Sequence, residues 1–157
     1  MIEIKNRYTG AVIKTVDRAS LAGANLIGAN LDGARLYRAS LAGATLAGAT
    51  LTGATLTGAR YSVPQVLAAD WGEVSDALCH YLMRYDASHW PDGARLISEW
   101  AAGGPRPATK SGDVLRAAVF RERRECWRMD LPPITAWERW EMLAAEKRVK
   151  IGKDERK

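Results

Sequence analysis

The amino-acid sequence predicts a β-helix plus α fold class, and three observations support it. A five-residue repeat runs through residues 19–63, strand-like alternation precedes it, and helical periodicity with all six Trp residues follows residue 70. We expect an N-terminal β-hairpin cap at residues 1–17, a β-helix at 18–63, and a helical C-terminal domain with a basic tail at 64–157.

The first segment has the pattern of a β-hairpin. Ile2 and Ile4 alternate with polar residues, a turn is expected at residues 8–10, and residues 12–16 return as a second strand. Because the ends of a β-helix expose unpaired backbone groups, this hairpin is a candidate cap for the first coil.

The repeat has a period of five, which matches neither an α-helix nor a strand. Each unit has Ala, then a variable residue, then an apolar residue, and seven units end in Gly, which weakens a helix by about 1 kcal/mol each. The Ala positions are Ala19, Ala24, Ala29, Ala34, Ala39, Ala44, Ala49, Ala54 and Ala59. The apolar positions are Leu21, Leu26, Leu31, Leu36, Leu41, Leu46, Leu51, Leu56 and Tyr61. A chain that turns at regular intervals is the structure this pattern favours.

These units resemble the A-[N/D]-L-x-x motif of the pentapeptide-repeat family over residues 19–63. The resemblance implies a short right-handed quadrilateral β-helix with four units per coil, Leu on the axis and Ala beside it. Nine pentapeptide units make about two coils, and strands about 4.8 Å apart give a stem of about 11 Å.

Characterised relatives with this fold include DNA gyrase inhibitors that imitate duplex DNA with an acidic surface. This chain departs from them, because its repeats hold one acid, Asp32, against Arg35, Arg38 and Arg60. A stem of about 11 Å also matches only about three base pairs. We therefore do not expect a DNA-mimic gyrase inhibitor.

The C-terminal half predicts about four helices, at residues 73–85, 91–102, 113–127 and 135–147. The second begins at Pro91, a favoured first-turn residue, and stops before Gly103. The fourth carries a capping-box pattern, Thr135 with Glu138 three residues later.

Composition limits the protein to few functional classes. No signal peptide or membrane-spanning segment is expected, and Cys79 and Cys126 suit a reducing compartment as free thiols, so we expect the bacterial host cytosol. The net charge of +5 lies entirely after residue 104, where 14 basic residues face nine acidic ones. An anionic partner would be steered there.

We expect no enzyme, cofactor or metal site. Cys79 and His80 are adjacent on a predicted helix and point about 100° apart, which does not suit a thiolate pair. His89 and Cys126 could complete four zinc ligands, yet the usual ligand spacings are absent. No phosphate-binding loop pattern occurs.

The first candidate binding site is the unit that replaces its final Gly with a charge. It contains Arg35, Tyr37 and Arg38, and Arg18 stands twenty residues before Arg38, one coil below if the β-helix already exists there. Arg and Tyr are residues that anchor interfaces. The alternative is that these side chains are simply solvated.

The second candidate site is the third predicted helix, for nucleic acid or an acidic partner. Its residues are Arg116, Phe120, Arg123, Arg124 and Trp127. Guanidinium groups contact phosphates and aromatic rings stack on bases. The alternative places the aromatic rings in the core with the arginines packed over them.

Repeats followed by an E-W-A-x-G-G-P segment and Trp-rich helices also resemble uncharacterised phage-encoded pentapeptide proteins. This resemblance implies a protein-binding inhibitor of a host defence or nucleic-acid-processing machine, in the manner of an anti-CRISPR protein, whose partner is a host protein or ribonucleoprotein complex. The alternatives are a direct nucleic-acid binder, through the third helix and the tail from Lys147, and a structural protein that pairs end to end as a homodimer. A membrane partner is not expected.

Overall fold

The computed structural model describes residues 1–89, 91–109, 112–113 and 123–153. The chain divides into two compact units, Met1–Trp71 with Trp140–Lys157, and Gly72–Arg139. This division differs from the predicted helical domain at 64–157, because both ends of that range belong to the unit that contains the repeats.

The N-terminal hairpin is confirmed. β1 (Ile2–Lys5) pairs antiparallel with β2 (Val12–Val16), and Ile2 lies opposite Val16. In the turn, the side-chain Oδ1 of Asn6 accepts hydrogen bonds from the N–H groups of Tyr8 and Thr9 at 2.8 and 3.1 Å. The N–H of Arg7 donates to the carbonyl of Gly33 at 2.8 Å, so the hairpin is bonded directly to the repeats.

The repeat segment forms a short β-helix with the Leu side chains inside, as predicted. Residues twenty apart form parallel bridges, for example Asn25 with Thr45 and Arg35 with Thr55. All eight Leu of the repeats are at most 4% exposed. Burying a side chain of this size stabilises the fold by about 2 kcal/mol, so this column is the core of the unit.

The last position of the first eight repeats turns the chain and has a left-handed backbone. The seven Gly residues there have φ between 63° and 72°, and Arg38, which takes the same position in its unit, has φ 54°. Only Gly adopts this conformation without steric cost, which explains the composition of the repeats.

A short helix that the sequence analysis did not place closes the repeats. α1 (Val63–Leu67) begins with a capping box between Ser62 and Gln65 and carries Pro64 in its first turn. The Gln65 side-chain amide also donates to the carbonyl of Leu41 at 2.6 Å. This polar side chain therefore joins α1 to the coil it follows.

The C-terminal segment returns to the β-helix. Lys150 forms a parallel bridge with Thr55, and its N–H donates to the carbonyl of Ala54 at 2.9 Å. The N–H of Gly53 donates to the carbonyl of Lys147 at 2.9 Å. The predicted basic tail thus pairs with the last coil, which is the reason that the observed division differs from the predicted one.

The second unit contains two helices and a small hairpin. α2 (Asp76–Ser88) begins at Ser75, whose hydroxyl accepts from the N–H of Leu78, and α3 (Gly93–Ala101) follows. β3 (Ala108–Thr109) pairs antiparallel with β4 (Gly112–Asp113). The buried apolar residues on these helices are Leu78, Cys79, Leu82, Met83, Ala87, Ile97 and Trp100. The first two predicted helices are confirmed with their ends shifted by a few residues.

The third predicted helix, at residues 113–127, is wrong at both of its described ends. Asp113 is in a strand, and Arg124–Cys126 form a single 3-10 turn that ends at an extended Trp127. Residues 114–122 lie outside the described part of the chain. Bonds to α2 hold the 3-10 turn, because the carbonyl of Cys126 lies 2.6 Å from Nδ1 of His80. Tertiary contacts therefore override local helix propensity here.

The fourth helix is confirmed together with its capping box. α4 (Ala136–Glu146) follows Thr135, whose hydroxyl accepts from the N–H of Glu138 at 3.1 Å, and the Glu138 carboxylate accepts from the N–H of Thr135 at 2.7 Å. Across the described residues, no helix combines the length and the apolar character that crossing a membrane requires.

Candidate binding surface

Two of the four residues predicted at the first site are in contact with each other, and all four are exposed. Arg35, Tyr37 and Arg38 are all exposed, and the Tyr37 ring is 52% exposed. The guanidinium carbon of Arg38 lies 5.0 Å from the centre of the Tyr37 ring, a cation-π contact. We call Arg35, Tyr37 and Arg38 the arginine corner.

Arg18 makes local contacts of its own. Its Nη1 donates to the carbonyl of Ala22 at 3.2 Å, and a Cβ on Gly23 would lie 3.4 Å from the same nitrogen. Its backbone N–H donates to Val16 in the hairpin. The guanidinium of Arg18 is therefore bonded to the first repeat, and the expected stacking beneath Arg38 is not among its contacts in the described residues.

The fold brings two cations, Arg7 and Lys150, against the repeats, a position that the sequence did not predict for either of them. Lys150 bridges Thr55, which in turn bridges Arg35. Nη1 of Arg7 donates to the hydroxyl of Thr55 at 2.7 Å, and Nη2 donates to the Tyr8 hydroxyl. No local pattern marks these residues, because they meet Thr55 only after the coil, the hairpin and the C-terminal segment have assembled.

Three residues of the second predicted site have partners inside the helical unit. Nη1 of Arg123 donates to the carbonyl of Val74 at 2.7 Å and its guanidinium pairs with Asp76, a bond that lowers the pKa of the Asp76 carboxyl. Arg124 lies 5.2 Å from the centre of the Trp100 ring. Nε1 of Trp127 donates to the hydroxyl of Ser98 at 2.8 Å.

Arg124 over the Trp100 ring is an arginine packed on an aromatic side chain, while Trp127 itself is only half-buried. Arg116 and Phe120, the other two residues predicted at this site, lie outside the described residues. The described part of the site therefore contributes to packing in the helical unit.

The two cysteines are buried in the helical unit and interact with each other. Burial raises the pKa of the Cys79 thiol to about 12, and it also raises the pKa of Cys126, whose thiol donates to Oδ1 of Asp76 at 3.6 Å. The thiolate is the reactive form, so both groups are poor nucleophiles at neutral pH. Within the described ranges, no three His, Cys, Asp or Glu residues are grouped to hold a metal ion.

Comparison with known proteins identifies the repeat segment. Residues 19–58 match the family model for pentapeptide repeats in eight copies, and the ninth unit, which begins at Ala59, lies beyond the match. Searches of curated proteins and of solved structures found no match to the chain. The observed bridges at a spacing of twenty and the buried Leu column agree with this assignment. The repeat segment, residues 19–58, is therefore similar to the pentapeptide-repeat family, and the rest of the chain lies outside the match.

Proposed function

We propose that this protein is a non-catalytic binding protein that recognises a protein partner through the arginine corner. We also propose that its stem is a right-handed, four-sided β-helix, since parallel bridges at a spacing of twenty correspond to four five-residue units per coil. A rigid stem of this kind holds side chains in fixed positions on its outer wall.

The backbone of Arg38 is the observation that carries this proposal. Its φ of 54° is the conformation that Gly adopts in seven sister units, and it is sterically unfavourable for any residue with a Cβ. A side chain kept at such a position in an otherwise regular array points to a role outside the fold. Its contact with the exposed Tyr37 ring forms the kind of Arg and Tyr pair that anchors interfaces.

The finer proposal follows from the order of repeats and Trp-rich helices. We propose on this basis that the protein is encoded by a phage or mobile element. It would act in the cytoplasm of a bacterial host and inhibit a defence or nucleic-acid-processing machine. Its partner is then a host protein or a ribonucleoprotein complex. The basic segment from Lys147 and the Arg7 side chain bonded to Thr55 suit a partner with anionic groups.

Capture from a bacterial lysate, followed by mass spectrometry, tests the proposal with the wild type and four variant forms of the chain. We expect a host protein retained by the wild type to be lost with Arg38→Glu and with Tyr37→Ala. Arg38→Gly is the sharper variant, because it removes the side chain and relieves the backbone strain together. Ala47→Glu is the matched control, an added charge at an exposed repeat position away from the corner, and it should retain the same protein. Equal capture by the wild type and all four variants would exclude the corner as the interface.

The end-to-end homodimer is less well supported. The first coil is bonded to the hairpin through Arg7 and Gly33, and the last coil to the C-terminal segment through Leu56 and Lys150. Some of the backbone groups that an end-to-end contact would use are therefore already paired. Size-exclusion chromatography with light scattering is expected to give the monomer mass.

A further inference from the structure

A row of cations crosses the wall of the β-helix beside the arginine corner. Arg35, Thr55 and Lys150 lie on three successive rungs, joined by two parallel bridges. Rungs are about 4.8 Å apart, so Arg35 and Lys150 are separated by about 10 Å. Arg7, bonded through Nη1 to the Thr55 hydroxyl, adds a third cation at the middle rung. We call Arg7, Arg35 and Lys150 the cation row.

Two of the other three columns of the same β-helix are stacked Asn and Thr pairs, whereas the remaining column pairs Ser40 with Arg60. The Thr45 hydroxyl lies 3.3 Å from Oδ1 of Asn25, and the Thr50 hydroxyl lies 3.2 Å from Oδ1 of Asn30. Both columns are neutral, with each Thr bonded to the Asn one rung away. In the column of Arg35 and Thr55, Arg35 stands at the position of the Asn. The Thr55 hydroxyl accepts a hydrogen bond from Arg7.

The cation row lacks internal charge compensation among the described residues. Within the part of the chain that the structure describes, no carboxylate forms an ion pair with Arg7, Arg35 or Lys150, and the nearby Lys5 pairs with Glu3. Like charges on neighbouring rungs disfavour each other. An anion that bridges them would convert this unfavourable contact into a binding site.

Exposed tyrosines lie on both sides of the row. Tyr8 is 68% exposed, and its ring and hydroxyl lie over the Gly33 and Gly53 positions, two residues before Arg35 and Thr55 in the sequence. Tyr37 is 52% exposed and follows Arg35 by two residues. Arg7 also packs on the Tyr8 ring, with its guanidinium carbon 4.6 Å from the ring centre. The glycines leave the room that the Tyr8 ring occupies.

We infer that the cation row and its flanking tyrosines bind single-stranded nucleic acid. Arg7, Arg35 and Lys150 contact successive phosphates, and Tyr8 and Tyr37 stack on unpaired bases. Basic grooves flanked by aromatic rings are the arrangement that binds single strands without sequence preference, because every base has a face that can stack. A duplex fits less well, since its bases are already stacked on each other.

Fluorescence anisotropy tests this inference with a labelled oligothymidylate and an oligouridylate of about twelve nucleotides in about 150 mM salt. We expect the logarithm of the binding constant to fall with the logarithm of the salt concentration. The slope should be near −2, about 0.7 for each of three phosphate contacts. Arg35→Thr and Lys150→Thr should each reduce that slope by about 0.7. Tyr8→Ala should weaken binding about fivefold or more and leave the slope unchanged.

The controls separate this site from folding and from the arginine corner. Arg35→Thr places a neutral residue at the position that Asn25 and Asn30 occupy in their columns, so its melting temperature should equal or exceed that of the wild type. Arg95→Gln removes one charge in the helical unit and should leave oligonucleotide binding unchanged. Arg38→Gly should abolish capture of the proposed protein partner and keep oligonucleotide binding, so the failure of either proposal can be recognised separately.

Three results would overturn the inference. The first is absence of binding to either oligonucleotide in about 150 mM salt. The second is equal affinity and slope for the wild type, Arg35→Thr and Lys150→Thr. The third is a lack of preference for the single strand: polyglutamate or tripolyphosphate displaces the oligonucleotide as readily as unlabelled single strand does, or a duplex of the same length binds equally well. Either outcome would show attraction to charge alone.

Discussion

Nε1 of Trp140 donates a hydrogen bond to the hydroxyl of Tyr61 at 3.0 Å, across 79 residues of chain. Tyr61 stands at the Leu position of the ninth repeat, and Trp140 is fully buried with its ring 5.2 Å from that of Trp71. A large ring at the last repeat thus contacts the Trp140 indole, which in turn packs on the Trp71 indole. This cluster joins the end of the repeats to the C-terminal segment.

Removal of the Trp140 ring should therefore destabilise the β-helix unit. We expect Trp140→Ala to lower the free energy of unfolding by about 3–5 kcal/mol, the cost typical of deleting a buried aromatic ring. Tyr61→Phe should cost about 1–3 kcal/mol, because the buried indole N–H loses its acceptor. Urea unfolding followed by circular dichroism measures both. Tyr37→Phe, at an exposed ring, is the control and should change stability by less than about 0.5 kcal/mol.

The Leu column should carry most of the stability of the stem. Leu46 is 1% exposed, and we expect Leu46→Ala to cost about 2–5 kcal/mol. Ile27 is a matched control, since it is an aliphatic residue in the same array but is 61% exposed. Ile27→Ala should cost less than about 0.5 kcal/mol in the same unfolding measurement. Equal losses for the two variants would contradict the inward position of the Leu side chains.

The turn position of the repeats should respond in opposite directions to two substitutions. Arg38→Gly should raise the free energy of unfolding by up to about 1 kcal/mol, because Gly adopts the left-handed backbone without strain. Gly48→Ala should lower it by about 1 kcal/mol, and this loss would come from the backbone, since the nearest atom to the new Cβ is 3.9 Å away. Thermal melting of both variants beside the wild type provides the measurement. A loss of stability in Arg38→Gly would mean that the Arg side chain itself supports the fold.

The buried thiol of Cys79 should make stability depend on alkaline pH. Its pKa is about 12 in the folded protein against an ordinary value of 9.0, so the folded state holds this proton more tightly than the unfolded state does. The resulting stabilisation is complete below about pH 9 and is lost as pH rises toward 12. Urea unfolding at several pH values should show a steeper decline for the wild type than for Cys79→Ala. Identical pH profiles for the two proteins would contradict the burial of this thiol.

Local sequence was sufficient where the signal is short range. The hairpin of β1 and β2, the Ala and Leu register of the repeats, and the Thr135–Glu138 capping box all involve residues that lie close together in the chain. The third helix was predicted wrongly because Arg123 and Cys126 bond to α2, almost fifty residues earlier. Local propensity contains no information about such partners.

The sequence by itself determined the inside and the outside of the repeats. A period of five with Gly at the turn allows one register. That register determines which Leu side chains are buried and predicts that the residues of the arginine corner are exposed. Tertiary structure alone decided which residues stand beside that wall. Arg7 and Lys150 reach Thr55 through backbone pairing between segments far apart in sequence, and the cation row exists only because the coil brings three distant segments to adjacent rungs.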